Sequence, residues 1–211
     1  MTADGTRRGR PGYDLESLLP IAADAFTERG YDGTSMADLA RRLGVTKAAI
    51  YHHVSGKEEL LRLITDRALD SLEAALGEAA RVEGTALHRL EHAVRRSVEV
   101  LVEQLPYVTV LLRVRGNTAA QRSALTRRRA VDHALGGLVA AAEAAGEIRR
   151  DVDPALTARL LFGMVNSLVE WYRPRGGADR DLVARAVSAI AFDGLRARAG
   201  APARCDHPPV G

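Results

Sequence analysis

Apolar positions recur three and four residues apart along most of the 211-residue chain, the period of helices with one buried face. Met36, Leu39, Ala40 and Leu43 mark a short instance. Ser35 can cap it, Asp38 stands in the first turn where the helix dipole favours an anion, and Gly44 supplies the left-handed residue that ends it. Val45 plugs the corner, and Thr46 can cap a second short helix running to about His53. Two short helices joined by a glycine-containing turn form the helix-turn-helix pattern. Ser55 and Glu58, three apart, predict a capping box that opens another helix at Lys57. Further helices are predicted at about 57–77, 85–104, 106–114, 118–145, 154–172 and 180–198, separated by glycine and proline. Residues 1–13 are expected to be a flexible basic arm, 14–60 a helix-turn-helix domain, 61–198 a helical ligand-binding and dimerisation domain, and 199–211 a disordered tail. The fold class is all-α.

In a helix-turn-helix unit the second helix enters the major groove, and its N-terminal residues meet base edges and phosphates. Ile50 and Ala49 are expected to point inward against Ala40 and Leu43, which leaves Lys47, Ala48 and Tyr51 outside. Lys47 and Lys57 are the only two lysines among 30 basic residues. The free amides and positive dipole end at Lys57 predict a second phosphate clamp.

Composition changes this picture little. The net charge is +3, and residues 1 to 60 hold eight basic against nine acidic side chains, so bulk charge does not announce nucleic-acid binding. Position does. Between Leu39 and Lys57 the charges are Arg41, Arg42, Lys47 and Lys57 with no acid among them, and Arg7, Arg8 and Arg10 lie upstream. Cys205 is the only cysteine, which excludes an intramolecular disulfide and a cysteine metal cluster and fits a reducing cytoplasm. No signal core and no apolar run long enough to span a bilayer is seen, so a soluble protein without a membrane partner is expected.

The stretch from about Leu15 to Leu61 resembles the DNA-binding domain of the tetracycline-repressor (TetR) family of bacterial regulators. The residues that carry the likeness are Ala22-Ala23, Phe26, Gly30-Tyr31, Thr34-Ser35-Met36, Gly44-Val45, Ile50-Tyr51-His52-His53 and Lys57-Glu58-Glu59-Leu60-Leu61. Val54 stands where the family often has phenylalanine, so thinner packing under the recognition helix is expected. The likeness implies a DNA-binding regulator on a near-palindromic operator. Lys47, Lys57, Tyr51 and Thr34 would position it on phosphates, Thr46, Ala48 and His52 would touch bases, and Ser35 is a further DNA-binding candidate.

The segment 154–172 is apolar on almost every turn, which predicts burial all round: one side in its own core, the other against a second copy. Together with 180–198 it is expected to form a four-helix dimer interface through Leu161, Val165, Leu168, Tyr172, Val187 and Ile190. Arg159, Gly163, Asn166 and Glu170 form a polar or small stripe that could line a ligand cavity or edge the interface. The second half also resembles, more loosely, TetR-type regulators that respond to acyl-coenzyme A thioesters, through Gly146-Glu147-Ile148-Arg149, Asp151-Val152-Asp153-Pro154, Phe162-Gly163-Met164-Val165-Asn166 and Trp171-Tyr172-Arg173-Pro174. That likeness implies a small apolar effector. Arg113, Arg127, Arg128, Asn166 and Tyr107 are the candidate contacts, and no cofactor is expected.

One pattern points elsewhere. His88-Arg89-Leu90-Glu91-His92 fits H-x-x-E-H, in which two histidines four apart on a helix bind zinc and the glutamate acts as base. The alternative reading is therefore a zinc-dependent hydrolase centred on His88, Glu91 and His92. A third ligand is not identifiable, no Walker loop, dinucleotide fingerprint or serine elbow is present, and a non-enzymatic protein without a metal site is expected.

Overall fold

The computed structural model describes residues 14–174 and 179–196. The predicted arm, with Arg7, Arg8 and Arg10, and the predicted tail, with Cys205, lie outside these residues.

Among the described residues the chain forms ten helices and no strand, with one isolated bridge between Ile148 and Arg196. Helix α1 (Leu15–Arg29) starts at Asp14, whose side chain accepts the Ser17 amide at 2.9 Å, and buries Leu18, Leu19, Ala22, Ala23 and Phe26. Helix α2 (Met36–Leu43) opens with a reciprocal box. Ser35 accepts the Asp38 amide at 3.2 Å, and Asp38 accepts the Ser35 amide at 3.0 Å. Gly44 closes it at φ 67°, a left-handed angle that a Cβ would strain.

Helix α3 (Lys47–Tyr51) is capped by Thr46 and ends two residues before the predicted limit, because the His53 amide reaches back only three residues, to Ile50. Helix α4 (Lys57–Ala79) then runs from the head made by α1–α3 into the rest of the molecule. The boundary drawn at residue 60 falls inside it, where Leu60, Leu61 and Ile64 are buried.

Helices α5 (Ala86–Glu103), α6 (Leu105–Arg113) and α7 (Ala119–Ala144) pack with α4 into a helical body. The remaining segment was expected as one helix over 154–172 but divides into α8 (Pro154–Asn166) and α9 (Leu168–Trp171) at Ser167, whose hydroxyl donates to the Met164 carbonyl at 2.7 Å. Helix α10 (Arg180–Leu195) lies against α5 and α8. A continuous core from Leu18 to Phe192 joins head and body. No described helix is long and apolar enough to cross a membrane.

Candidate nucleic-acid interface and effector cavity

Helix α2 packs against α3 from behind. Ile50 is 2% exposed and faces the buried Ala40 and Leu43, with Val54 also buried at the start of the next turn. Valine therefore seals this corner without the larger ring. On the opposite side Thr46, Lys47, Ala48 and His52 are exposed, and Tyr51 is 50% exposed despite its large apolar ring. Lys47 has no hydrogen-bond or ion-pair partner among the described residues. The Thr46 hydroxyl accepts the Ala49 amide at 3.2 Å, and its own proton is left to donate. The separation of packing and outward residues follows the helical period alone.

Other expected contacts are spent inside the protein. Thr34 is 1% exposed, and its hydroxyl donates to the carbonyls of Gly30 at 2.8 Å and Ala25 at 3.2 Å. Its one hydroxyl proton is thus used inside the protein, at the C-terminal end of α1. Ser35 is exposed, but its hydroxyl donates to Asp38 at 2.5 Å and its amide bonds the same carboxylate, so no free donor remains. Lys57 donates to the Tyr31 carbonyl at 2.8 Å, with its ammonium 4.3 Å from the centre of the Tyr31 ring. It is a strut between the loop after α1 and the start of α4, with two of its three N–H groups still available.

The predicted box between Ser55 and Glu58 is also different. Glu59, one residue further, accepts the Ser55 amide at 2.5 Å and its hydroxyl at 2.6 Å. Glu58 turns instead to α7, accepting the Ala120 amide at 2.9 Å. That bond, with lesser donors at Thr118 and Ala119, holds the Glu58 carboxyl below its ordinary pKa. The acid-free run between Leu39 and Lys57 is likewise not acid-free in space. Glu28 grips Arg42 through both oxygens, at 2.5 and 2.8 Å, and Asp38 lies 3.1 Å from Arg41. Lys47 is the cation that this local folding leaves outward.

In the body a small cavity lies among α4, α5, α6, α7 and α8. Leu72, Leu101, Val108, Leu111 and Phe162 form its apolar wall, and Arg128, Asp132 and Asn166 its polar end. Its volume is about 20 Å³, room for roughly one water. Burial pushes the Asp132 carboxyl up, opposed by Arg128 and Arg159. Asp132 was not among the expected residues. Its place one helical turn after Arg128 is the signal that could have found it.

Arg128 and Asn166 thus meet at one site, whereas Arg113, Arg127 and Tyr107 do not join them. Arg127 is held by Glu73 at 2.8 Å, Asp70 at 2.6 Å and Asp66 at 2.9 Å, and the first two carboxylates hold its pKa above the ordinary guanidinium range. Its charge is used. Tyr107 is buried beneath Arg67, whose guanidinium is 5.2 Å from the ring centre. Arg113 donates to the Thr27 carbonyl at 2.7 Å, tying α6 to the end of α1.

The helices expected to dimerise expose a different face from the one named. Leu161, Val165, Leu168, Tyr172 and Val187 are buried in their own protomer, and of the six only Ile190 is exposed, at 70%. On the same helices Leu156, Leu160, Trp171 and Leu182 are further large apolar residues open to solvent. A helix of this kind has two apolar faces, and sequence does not say which is turned inward.

The H-x-x-E-H pattern does not assemble a site. His92 pairs with Glu78 at 3.1 Å, Arg96 stands 3.6 Å from the same carboxylate, and Glu91 faces Arg196 at 3.4 Å. No described group of three histidine, cysteine or acidic side chains has the geometry to hold a metal ion. The glutamate that would act as base faces a guanidinium, and nothing favours the hydrolase reading.

Known proteins of similar sequence and structure are transcriptional regulators. Residues 18–64 match the family described as bacterial regulatory proteins, tetR family, and residues 83–195 match the tetracyclin repressor-like C-terminal domain. The HTH-type transcriptional repressor KstR2 of Rhodococcus jostii is 32% identical over 92% of this chain and 95% of that protein. A solved TetR-family regulator from Streptomyces coelicolor A3 is 52% identical, with a TM-score of 0.79 over 93% of this chain and 96% of that one. AibR, solved in complex with isovaleryl coenzyme A and operator DNA, is 26% identical, with a TM-score of 0.71 over 83% of this chain and 96% of its own. With both its N-terminal and its C-terminal regions matched, the chain belongs to the TetR family of bacterial transcriptional regulators.

Proposed function

We propose that this regulator is a homodimeric, cytoplasmic repressor released from a near-palindromic operator by a small, largely apolar effector. The observation that carries the DNA half of this reading is the orientation of α3, with Ile50 at 2% exposure behind it and Tyr51 at 50% in front. In the groove, Lys47 and Tyr51 would hold phosphates, and Thr46, Ala48 and His52 would meet base edges. Lys57 would act from the edge as a fixed cation already oriented by Tyr31.

The exposed residues Leu160, Trp171, Leu182 and Ile190 support pairing of α8–α10 with a second copy, which would set the spacing of two heads. The narrow cavity supports the effector reading in a particular way. A ligand larger than a water must push its walls apart, and Leu72 of α4 is one of them. Glu58 lies fourteen residues earlier on that helix, about 21 Å away at the helical rise, so a displaced α4 moves the head. DNA and effector would then weaken each other's binding by the same factor. The thioester class is supported by likeness to AibR, and Arg128 is the cation the cavity offers to it.

Selection from a random pool of DNA duplexes tests the reading. It should return paired half-sites about one helical turn apart or a multiple of it, and replacement of His52 or Ala48 should change the recovered sequence. Recovery of unpaired or unrelated sequences would contradict a dimeric reader.

A further inference from the structure

A wider opening than the body cavity is a cleft of about 600 Å³ between head and body, a volume in the range of small-molecule sites. The end of α1 and the loop after it form one wall. The end of α6 and the segment leading to α7 form the other.

Charge and polarity in this cleft are one-sided. Arg29, Arg113 and Arg115 line it, against one carboxylate, Asp32. Arg29 reaches only to within 3.9 Å of Asp38, Arg113 keeps donors beyond its bond to Thr27, and the Arg115 side chain has no partner among the described residues. The Thr27 hydroxyl, also in the wall, is shielded from water and lacks a hydrogen-bond partner. Between these polar groups Phe26, Leu61, Val110, Leu112 and Val114 supply apolar surface.

The segment carrying Arg115 is held in place before any ligand arrives. Gln121, itself 3% exposed, accepts the amides of Arg115, Gly116 and Asn117 at 3.1, 2.8 and 3.0 Å. A guanidinium presented from a fixed loop forms a bidentate pair with a carboxylate at little further ordering cost.

We propose that this cleft is a second ligand site, separate from the body cavity, for a small organic carboxylate with an apolar body. Its carboxylate pairs with Arg115 and Arg113, and its apolar part lies on Leu112 and Val114. Because the walls belong to head and body, an occupant fixes their relative position. The effect on DNA rests on the operator-binding reading; the binding itself does not.

Isothermal titration of the full chain with 2-naphthoate, and with the neutral 2-naphthamide, tests the proposal. Naphthoate should bind at one site per chain and at least about tenfold more tightly than the amide. Arg115→Glu should weaken it by about tenfold or more, Arg115→Lys should recover part of the loss, and Arg128→Gln, in the body cavity, should leave it unchanged. Arg115 is exposed and unpartnered, so its variants should melt like the parent. Failure of naphthoate to bind, equal binding of acid and amide, indifference to Arg115→Glu, or loss with Arg128→Gln would each overturn the proposal. DNA affinity measured with and without naphthoate is read separately. Unchanged DNA affinity with intact naphthoate binding removes the regulatory consequence and leaves the site.

Discussion

Glu58 accepts the backbone amide of Ala120 at 2.9 Å, across 62 positions of sequence. The first turn of α4, directly after the recognition helix, is thereby bonded to the first turn of α7. The bond makes a pH prediction. The Glu58 carboxyl is held below its ordinary value of 4.5, so its contribution to stability is present above that pH and is lost as pH falls through the lower folded value. Glu58→Gln should therefore melt below the parent at pH 7, and the gap should close on acidification below about 4.5. Thermal melts between pH 7 and 3.5 check this, and a pH-independent gap would show that the charge is not what holds α7.

Thr34 joins the two ends of the loop after α1 from inside. Replacing it by valine keeps the shape and removes both hydroxyl bonds, which leaves two carbonyls less well satisfied. A loss of about 1–3 kcal/mol is expected, read as a fall of the melting temperature by roughly 2–4 °C for each kcal/mol. The salt dependence of DNA binding should not change. A shallower slope would return Thr34 to the phosphate contacts.

The exposed and buried faces of α8 and α10 should separate by mutation. Leu160→Glu combined with Ile190→Glu should yield folded monomers in sedimentation, since both side chains are open to solvent in the protomer. Leu161→Ala should instead cost about 2–5 kcal/mol of stability and keep the oligomeric state. The reverse outcome would place the interface on the face first read from sequence.

What could be read before the structure was largely local. Caps at Ser35 and Thr46, the stop at Gly44 and the inward turn of Ile50 follow from spacing, because each depends on residues within one or two helical turns. Misassignments occurred where the partner comes from far along the chain. The Thr34 hydroxyl is taken by carbonyls of α1, Glu58 by α7, and Arg127 by three acids of α4. Sequence shows that such residues are polar but not which distant group reaches them first. Leu161 and Leu160 are adjacent and chemically identical, and only packing decides which one faces the core. The cavity has the same origin. Asn166 was legible as a polar residue in an apolar helix and Arg128 as a cation for the effector that the family likeness implies, whereas their meeting with Asp132 depends on how α7 and α8 cross.

Lys47 provides the most direct test of the DNA-binding geometry. Its side chain is exposed and makes no ion pair among the described residues, so Lys47→Ala should leave the melting temperature unchanged. Affinity for duplex DNA, measured from low to moderate salt, should fall for every sequence, and the slope of log affinity against log salt should become shallower by about one unit for the lost phosphate contact. Parent and variant with the same affinity and the same slope would contradict the placement of α3 in the groove.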